Sequence, residues 1–202
     1  MINFQVVRWR NFLATGNAWT EIRLDDAPTK LIFGKNGHGK STVLDAITFS
    51  LFNKPFRNIS KPQLVNSVNG KKALVEIEFS IGKKQYLIRR GISPNVFDIV
   101  VDGETLDQNA NVRDFQKHLE ENILKLNYKS FTQIVILGSA RFTPFMQLST
   151  AVRREIIEDI LDICIFTAMK DVLKQSMTIL KENMMEVDHN LRAVNSEIEV
   201  KK

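Results

Sequence analysis

Residues 30–42 read Lys-Leu-Ile-Phe-Gly-Lys-Asn-Gly-His-Gly-Lys-Ser-Thr, an apolar run, a glycine-rich turn and then a Lys-Ser pair opening a helix-like segment. Gly34, Gly39, Lys40 and Ser41 fit the spacing G-x-x-x-x-G-K-[ST] of a phosphate-binding loop. The glycines allow backbone conformations that a side chain forbids and let the chain approach a phosphate closely. Successive backbone N–H groups then form an anion nest at the positive end of the following helix. Lys40 offers a cation to the β- and γ-phosphates, and the Ser41 hydroxyl suits Mg²⁺. Average residue frequencies put a chance match at roughly 1 in 150 for a chain this long. The setting narrows that further, because Leu31-Ile32-Phe33 reads as a buried strand and Ser41–Phe52 as a helix with Val43, Leu44, Ile47, Leu51 and Phe52 on one face.

Upstream, Phe4–Arg8 and Trp19–Leu24 alternate apolar and polar residues as half-buried strands do, and Thr15-Gly16-Asn17 marks the bend between them. A nucleotide loop reached after two antiparallel strands argues against a simple doubly wound fold. Downstream, Pro55 ends the helix, and 56–72 is a loop-rich stretch whose Arg57, Lys61, Lys71 and Lys72 suit a solvated loop or a DNA-facing surface. Ala73–Thr105 reads as a β-meander with turns at Gly82-Lys83-Lys84 and Asp102-Gly103, and Lys83, Lys84, Arg89 and Arg90 give it a positive side.

Val112–Leu126 has helical periodicity through Val112, Phe115, Leu119, Ile123 and Leu126, with His118 a surface or packed residue rather than a ligand. Phe131–Leu137 reads as a second buried strand delivering the loop Gly138-Ser139-Ala140-Arg141 beside the phosphate loop. A helix capped by Ser149 or Thr150 follows, and no proline or glycine interrupts the chain from there on. Leu173, Met177, Leu180, Met184, Val187, Leu191, Val194 and Ile198 alternate spacings of four and three, the seam of a left-handed coiled coil. The division expected is a nucleotide-binding lobe, 1–149, and an outgoing helix and coiled-coil segment, 150–202.

The 202 residues, 44% hydrophobic and 25% charged, suit a globular domain with an appendage, and a net charge of +5 permits an anionic partner without demanding one. Cys164 is the only cysteine, so neither an internal disulfide nor a zinc cluster can form, and a reducing, cytoplasmic setting is expected. The N-terminus has no signal-peptide pattern, and no membrane span is expected.

This constellation of phosphate loop, β-meander, second apolar segment and outgoing coiled coil resembles the N-terminal half of an SMC-like ABC-type ATPase. Within that superfamily it is most similar to the SbcC (Rad-fifty) group of DNA double-strand-break repair ATPases. Leu44–Phe49 through Pro55-Phe56-Arg57, Pro94–Phe97, and Phe131–Ser149 with Arg153-Arg154 are similar to the large subunit of T-even-like phage recombination endonucleases.

The resemblance implies an α/β fold, a mixed sheet with an antiparallel meander followed by a long coiled-coil helix. It implies ATP wrapped by Asn36, Gly37, His38, Gly39, Lys40, Ser41 and Thr42, with Mg²⁺ on Ser41. It implies that Asn11-Phe12 matches an early motif whose following residues pack near the adenine, with Leu13 where relatives often carry a basic residue. Ser139 falls where the family presents a glutamine near Mg²⁺ and the attacking water; Gln133 is a poorer match.

The family's acidic Walker B pair, Ser-Gly-Gly signature and switch histidine lie beyond the coiled coil, and no apolar run ending in Asp-Glu and no Ser-Gly-Gly occurs here. The chain is therefore expected to be a fragment or one half of a split site, hydrolysing ATP poorly alone. The implied partners are the C-terminal half of the ATPase, a second head, a Mn-dependent nuclease and double-stranded DNA. The alternative is a non-enzymatic nucleotide-dependent clamp or scaffold working through its coiled coil.

Overall fold

The computed structural model describes residues 2–106, 112–136, 144–161 and 163–200. It contains two compact units, Met1–Ile156 and Ile157–Lys202. The first is built on one antiparallel sheet: β1 (Ile2–Arg10), β2 (Thr20–Arg23), β3 (Ala73–Ile81), β4 (Lys84–Ile92), β5 (Val96–Val101) and β6 (Glu104–Thr105), in the order β2-β1-β3-β4-β5-β6. The expected early strands and meander are thus present, joined by the long-range pairing of β1 with β3.

Because side chains alternate across a strand, register sorts the sheet into two faces. Val7, Ile77, Ile88 and Ile99 form one cross-strand row of the inner face, and Trp9, Val75, Arg90 and Phe97 the next. The outer face carries Glu21, Arg8, Glu76, Arg89 and Asp98 in a row of alternating sign. Arg8 Nε and Arg89 Nε each donate to the Glu76 carboxylate at 2.5 Å, and Arg89 lies 3.8 Å from Asp98. Desolvation opposes the charge on Arg8, yet the hydrogen bond and charge of Glu76, with Glu78 and Glu21, hold its pKa above the usual arginine value.

Helix α1 (Thr42–Phe52) covers the inner face. One apolar stripe was expected, but the helix is enclosed on nearly every side, with Asp45, Thr48 and Ser50 fully buried beside Ala46, Phe49 and Leu51. Its polar groups are matched locally: Thr48 Oγ1 donates to the Leu44 carbonyl at 2.9 Å and Ser50 Oγ to Ile47 O at 2.9 Å. Asn53, left-handed at φ 57°, ends the helix by donating its N–H to Phe49 O, two residues before Pro55. Aromatic rings extend this packing, with centroid separations of 5.7 Å for Phe12–Phe49 and 5.1 Å for Phe52–Phe131.

Three expectations are corrected here. Leu31-Ile32-Phe33 forms no strand, and Leu31 and Phe33 are 85% and 86% exposed. A buried strand needs a paired neighbour, and all six described strands lie in the one antiparallel sheet, which does not include this run. The segment expected as a second strand from Phe131 is instead helix α3 (Tyr128–Ile134), following helix α2 (Val112–His118) and a π-helical turn, Leu119–Leu124. Asn127 nucleates α3 by accepting from the Ser130 N–H at 2.9 Å, so local capping outweighs the apolar run. Arg90, expected on the sheet's positive side, is buried. It donates to Ser50 O and to Gln116 Oε1, while Gln116 in turn donates to Leu51 O and Glu120. Its guanidinium sits 3.7 Å from the Phe97 ring centroid, and burial lowers its pKa to about 9 against the opposing charge of Glu120.

His118 is exposed and 2.9 Å from Asn122, in keeping with a surface histidine. Helix α4 (Thr150–Ile160) begins after Ser149, whose Oγ accepts from the Val152 N–H. Helix α5 (Cys164–Val200) follows, and ahead of it the Ile163 N–H donates to Glu158 O. Helix α5 runs 37 residues, and its seam from Leu173 to Ile198 is exposed along its length. No helix among the described residues is long and apolar enough to cross a membrane.

Phe49→Ala removes a fully buried ring and is expected to cost about 3–5 kcal/mol in urea unfolding of the first unit. Arg90→Met keeps most of the volume but strands the Ser50 carbonyl and Gln116. A loss of about 1–3 kcal/mol is expected, and a stability equal to the parent would show that the charge costs as much as its bonds contribute.

Candidate functional site

The glycine-rich turn leads directly into the N-terminus of α1, where four backbone N–H groups lack helical partners and the helix dipole is positive. Gly37 and Gly39 have φ of 85° and 80°, the left-handed conformation that glycine adopts without strain. A Cβ on Gly39 would also stand 3.4 Å from Thr42 Oγ1. The Thr42 N–H donates to Gly39 O at 2.9 Å, closing the turn onto the helix. Lys40 curls over the loop, its Nζ donating to Gly34 O at 2.7 Å and Lys35 O at 2.9 Å. Ser41 is exposed at the helix start, while Thr42 is buried. His38 is exposed and bonds through its N–H to Lys35 O.

A cleft of about 490 Å³ opens above this loop. Its floor is Asn36, Gly37, Gly39, Lys40, Ser41 and Thr42; its walls are Leu13, Ala14, Val65 and Ser67, with Arg57 and Gln63 completing the rim. The volume falls in the roughly 300–1,000 Å³ range of small-molecule sites. Apolar walls at one end and cations with free N–H groups at the other suit an amphiphilic anion, a base at Leu13, Ala14 and Val65 and phosphates at Lys40 and Ser41. Among the described residues no cluster of His, Cys, Asp and Glu could hold a metal. The Ser41 hydroxyl at the cleft floor fits a Mg²⁺ that arrives with phosphate oxygens, since such sites take only one or two protein ligands.

Asn11 and Phe12 are placed beneath the cleft rather than on its wall. Phe12 is fully buried against Phe49. Asn11 ties two loops together: it accepts from Asn69 Nδ2 at 2.6 Å and donates to Asn17 Oδ1 and the Lys72 carbonyl. Leu13 N–H donates to Leu64 O and Asn66 N–H to Asn11 O, so the wall residues Leu13, Ala14 and Val65 are set by cross-linked backbone. Ser139 lies outside the described residues. Gln133 sits on α3 with its Oε1 buried and unpaired among the described residues.

The residue pair that pattern reading missed is Asp45 with Arg57. Asp45 is fully buried in the first turn of α1, accepting from Arg57 Nε at 2.6 Å and from the Arg57 backbone N–H at 2.9 Å. These two bonds hold the 56–60 loop against the helix and set Arg57 on the cleft rim, a second cation beside Lys40. An ionisable residue among the apolar positions of α1 was the available signal, because a buried carboxylate requires a partner. The pair is asymmetric, since the Arg57 side chain is 44% exposed and Asp45 is not exposed at all. Arg57→Ala strands the buried carboxylate and is expected to cost about 3–5 kcal/mol in denaturant unfolding. Asp45→Asn, which frees an exposed cation, is expected to cost about 1–3 kcal/mol, and equal losses would refute the asymmetry.

Residues 7–201 match the family model described as AAA domain. Exonuclease subunit 2 of Escherichia phage RB69 is 44% identical over 194 residues, covering 96% of this chain and 34% of the phage protein. Exonuclease subunit 2 of Enterobacteria phage T4 is 47% identical over 81% of this chain and 29% of its own length. The DNA double-strand break repair Rad50 ATPase of Thermoplasma acidophilum is 30% identical over 91% of this chain and 20% of its own length. The chain thus spans about a third or less of the curated relatives it matches. In fold it resembles the Smc head domain with a coiled coil and joint derived from Pyrococcus yayanosii, with a TM-score of 0.58 at 22% identity over 98% of this chain and 40% of that one. An SMC ATPase structure from work on ATP-driven dimerization gives 0.55 at 23% identity over 78% of this chain and 99% of that one. The family match and these relatives together show that the chain belongs to the AAA domain family, in the SMC-like SbcC/Rad50 group.

Proposed function

We propose that this chain is the ATP-binding N-terminal part of an SMC-like DNA repair and recombination ATPase that regulates a partner nuclease at DNA double-strand ends. The observation that carries the reading is the glycine loop at the N-terminus of a largely buried helix, facing a cleft with cations at one end and apolar walls at the other. The naming of two phage relatives as exonuclease subunits and of a third as a repair ATPase supports the nuclease-linked part. Residues 1–149 form the nucleotide lobe in this reading, and 150–202 carry the start of a coiled coil.

In this site Lys40 releases the Gly34 and Lys35 carbonyls to reach the β- and γ-phosphates, and the α1 N–H groups hold the triphosphate oxygens. Ser41 Oγ is the group that would hold Mg²⁺, and Mg²⁺ when bound neutralises phosphate charge during phosphoryl transfer. Arg57 screens the same charge from the rim, and Leu13, Ala14 and Val65 flank the base. Ser139 is the residue to which we assign water positioning, from its place in the sequence alone. The attacking water and the developing charge need further positioned groups, which we assign to the C-terminal half of the ATPase and to a second head. A Mn-dependent nuclease and double-stranded DNA complete the proposed assembly, in the cytoplasm, which is that of the host if the chain is phage-encoded.

Mg-ATP binding and turnover by the chain alone, and after mixing with the C-terminal half of a close relative, test the proposal. Weak binding alone, turnover only on mixing, and loss of about 10²-fold or more in Lys40→Ala are expected. Absence of binding and turnover in both conditions would sink the reading and favour the non-enzymatic scaffold.

A further inference from the structure

The outer face of the sheet is electrically divided. The row Glu21, Arg8, Glu76, Arg89 and Asp98 neutralises itself through the ion pairs described above. The adjacent outer row is Arg10, Leu74, Gly91 and Val96, which holds a cation and no carboxylate. Among the described residues neither Arg10 nor the nearby Lys72 takes part in an ion pair, and Arg10 Nε is buried without an acceptor.

Gly91 turns that row into a hollow. Without a side chain at its centre the face sinks to a cavity of about 270 Å³ between Leu74, Val96 and Pro94, with Arg10 and Lys72 at its rim. The glycine is required by packing, because a Cβ there would meet Val96 Cβ at 3.1 Å, Pro94 O at 3.2 Å and Ala73 O at 3.3 Å. The Arg10 guanidinium is positioned as well, lying 4.8 Å from the centroid of the Trp19 ring. The hollow is thus a walled apolar recess flanked by two cations that form no ion pair among the described residues, at a site separate from the nucleotide cleft.

We propose that this recess docks an acidic peptide segment of a partner protein. An apolar side chain of the segment enters between Leu74, Pro94 and Val96, and flanking Asp or Glu carboxylates pair with Arg10 and Lys72. Charge complementarity selects an anion. The walls select its chemistry: they are aliphatic and would leave the polar edge of a nucleobase unmatched, whereas a Leu or Phe side chain loses nothing on entry. The inference does not depend on nucleotide binding.

Fluorescence anisotropy of the full chain with a labelled peptide, Gly-Asp-Glu-Leu-Glu-Asp-Phe-Glu-Asp-Gly, tests it, alongside the Asn/Gln version of the same peptide and a labelled oligothymidine. Salt-sensitive binding of the acidic peptide is expected, with about tenfold or greater loss for the amide version and for Lys72→Glu and Leu74→Glu. Lys72 is exposed and Leu74 lies half-buried on the outer face, so an unchanged unfolding midpoint distinguishes lost docking from lost fold. Arg10→Lys, which keeps the charge, is expected to retain most of the affinity. The proposal is overturned if the acidic peptide does not bind, if the amide peptide binds equally well, or if neither variant weakens binding. It is equally overturned if oligothymidine, rather than the peptide, loses affinity in the variants.

Discussion

Burial of α1 is the constraint from which the rest of the first unit follows. A single eleven-residue helix fills the inner face of the antiparallel sheet, meets Phe12 through Phe49 and Phe131 through Phe52, and ends in an Asn53 cap. Its N-terminus can therefore shift very little. A phosphate loop works through backbone N–H groups aimed at fixed positions, and their aim is only as good as the immobility of the helix behind them. Core packing and anion recognition are in this way one requirement, met by the same residues.

Polar ties inside the core extend that control outward. Asp45 draws Arg57 and its loop to the rim of the cleft, while Arg90 and Gln116 hold the far end of α1 through the Ser50 and Leu51 carbonyls. Asn11, Asn66 and Asn69 do the same for the opposite wall. In each tie at least one member is buried, as Asp45, Arg90, Asn11 and Asn66 are, so losing its partner leaves an unmatched charge or dipole. The cleft wall is consequently specified by hydrogen bonds rather than by apolar contact alone, which suits a surface that must keep its shape around a charged ligand.

Much of the sheet was legible in the chain because alternation is a local signal: β1, β3, β4 and β5 each carry their own period-two pattern, with Asp102-Gly103 marking a turn. Apolar runs without periodicity were not legible. Leu31-Ile32-Phe33 and Phe131–Ile136 have the same composition as a buried strand, yet the first is exposed coil and the second a capped helix joined to a turn. A run of that kind takes its conformation from what lies beside it, and one sequence does not contain its neighbours.

By itself, then, the sequence determined the phosphate loop, whose glycines, lysine and serine act at fixed spacing within one short segment, and the a/d seam of α5, whose period is fixed by helix geometry. Tertiary structure alone decided that Arg57 faces the cleft, that Arg90 leaves the surface for the core, and that Asn11 is buried and bonded to Asn69 behind the cleft wall. Those outcomes depend on contacts between residues 12 to 58 positions apart, where burial and the need to satisfy each polar group override what the residue types suggest one at a time.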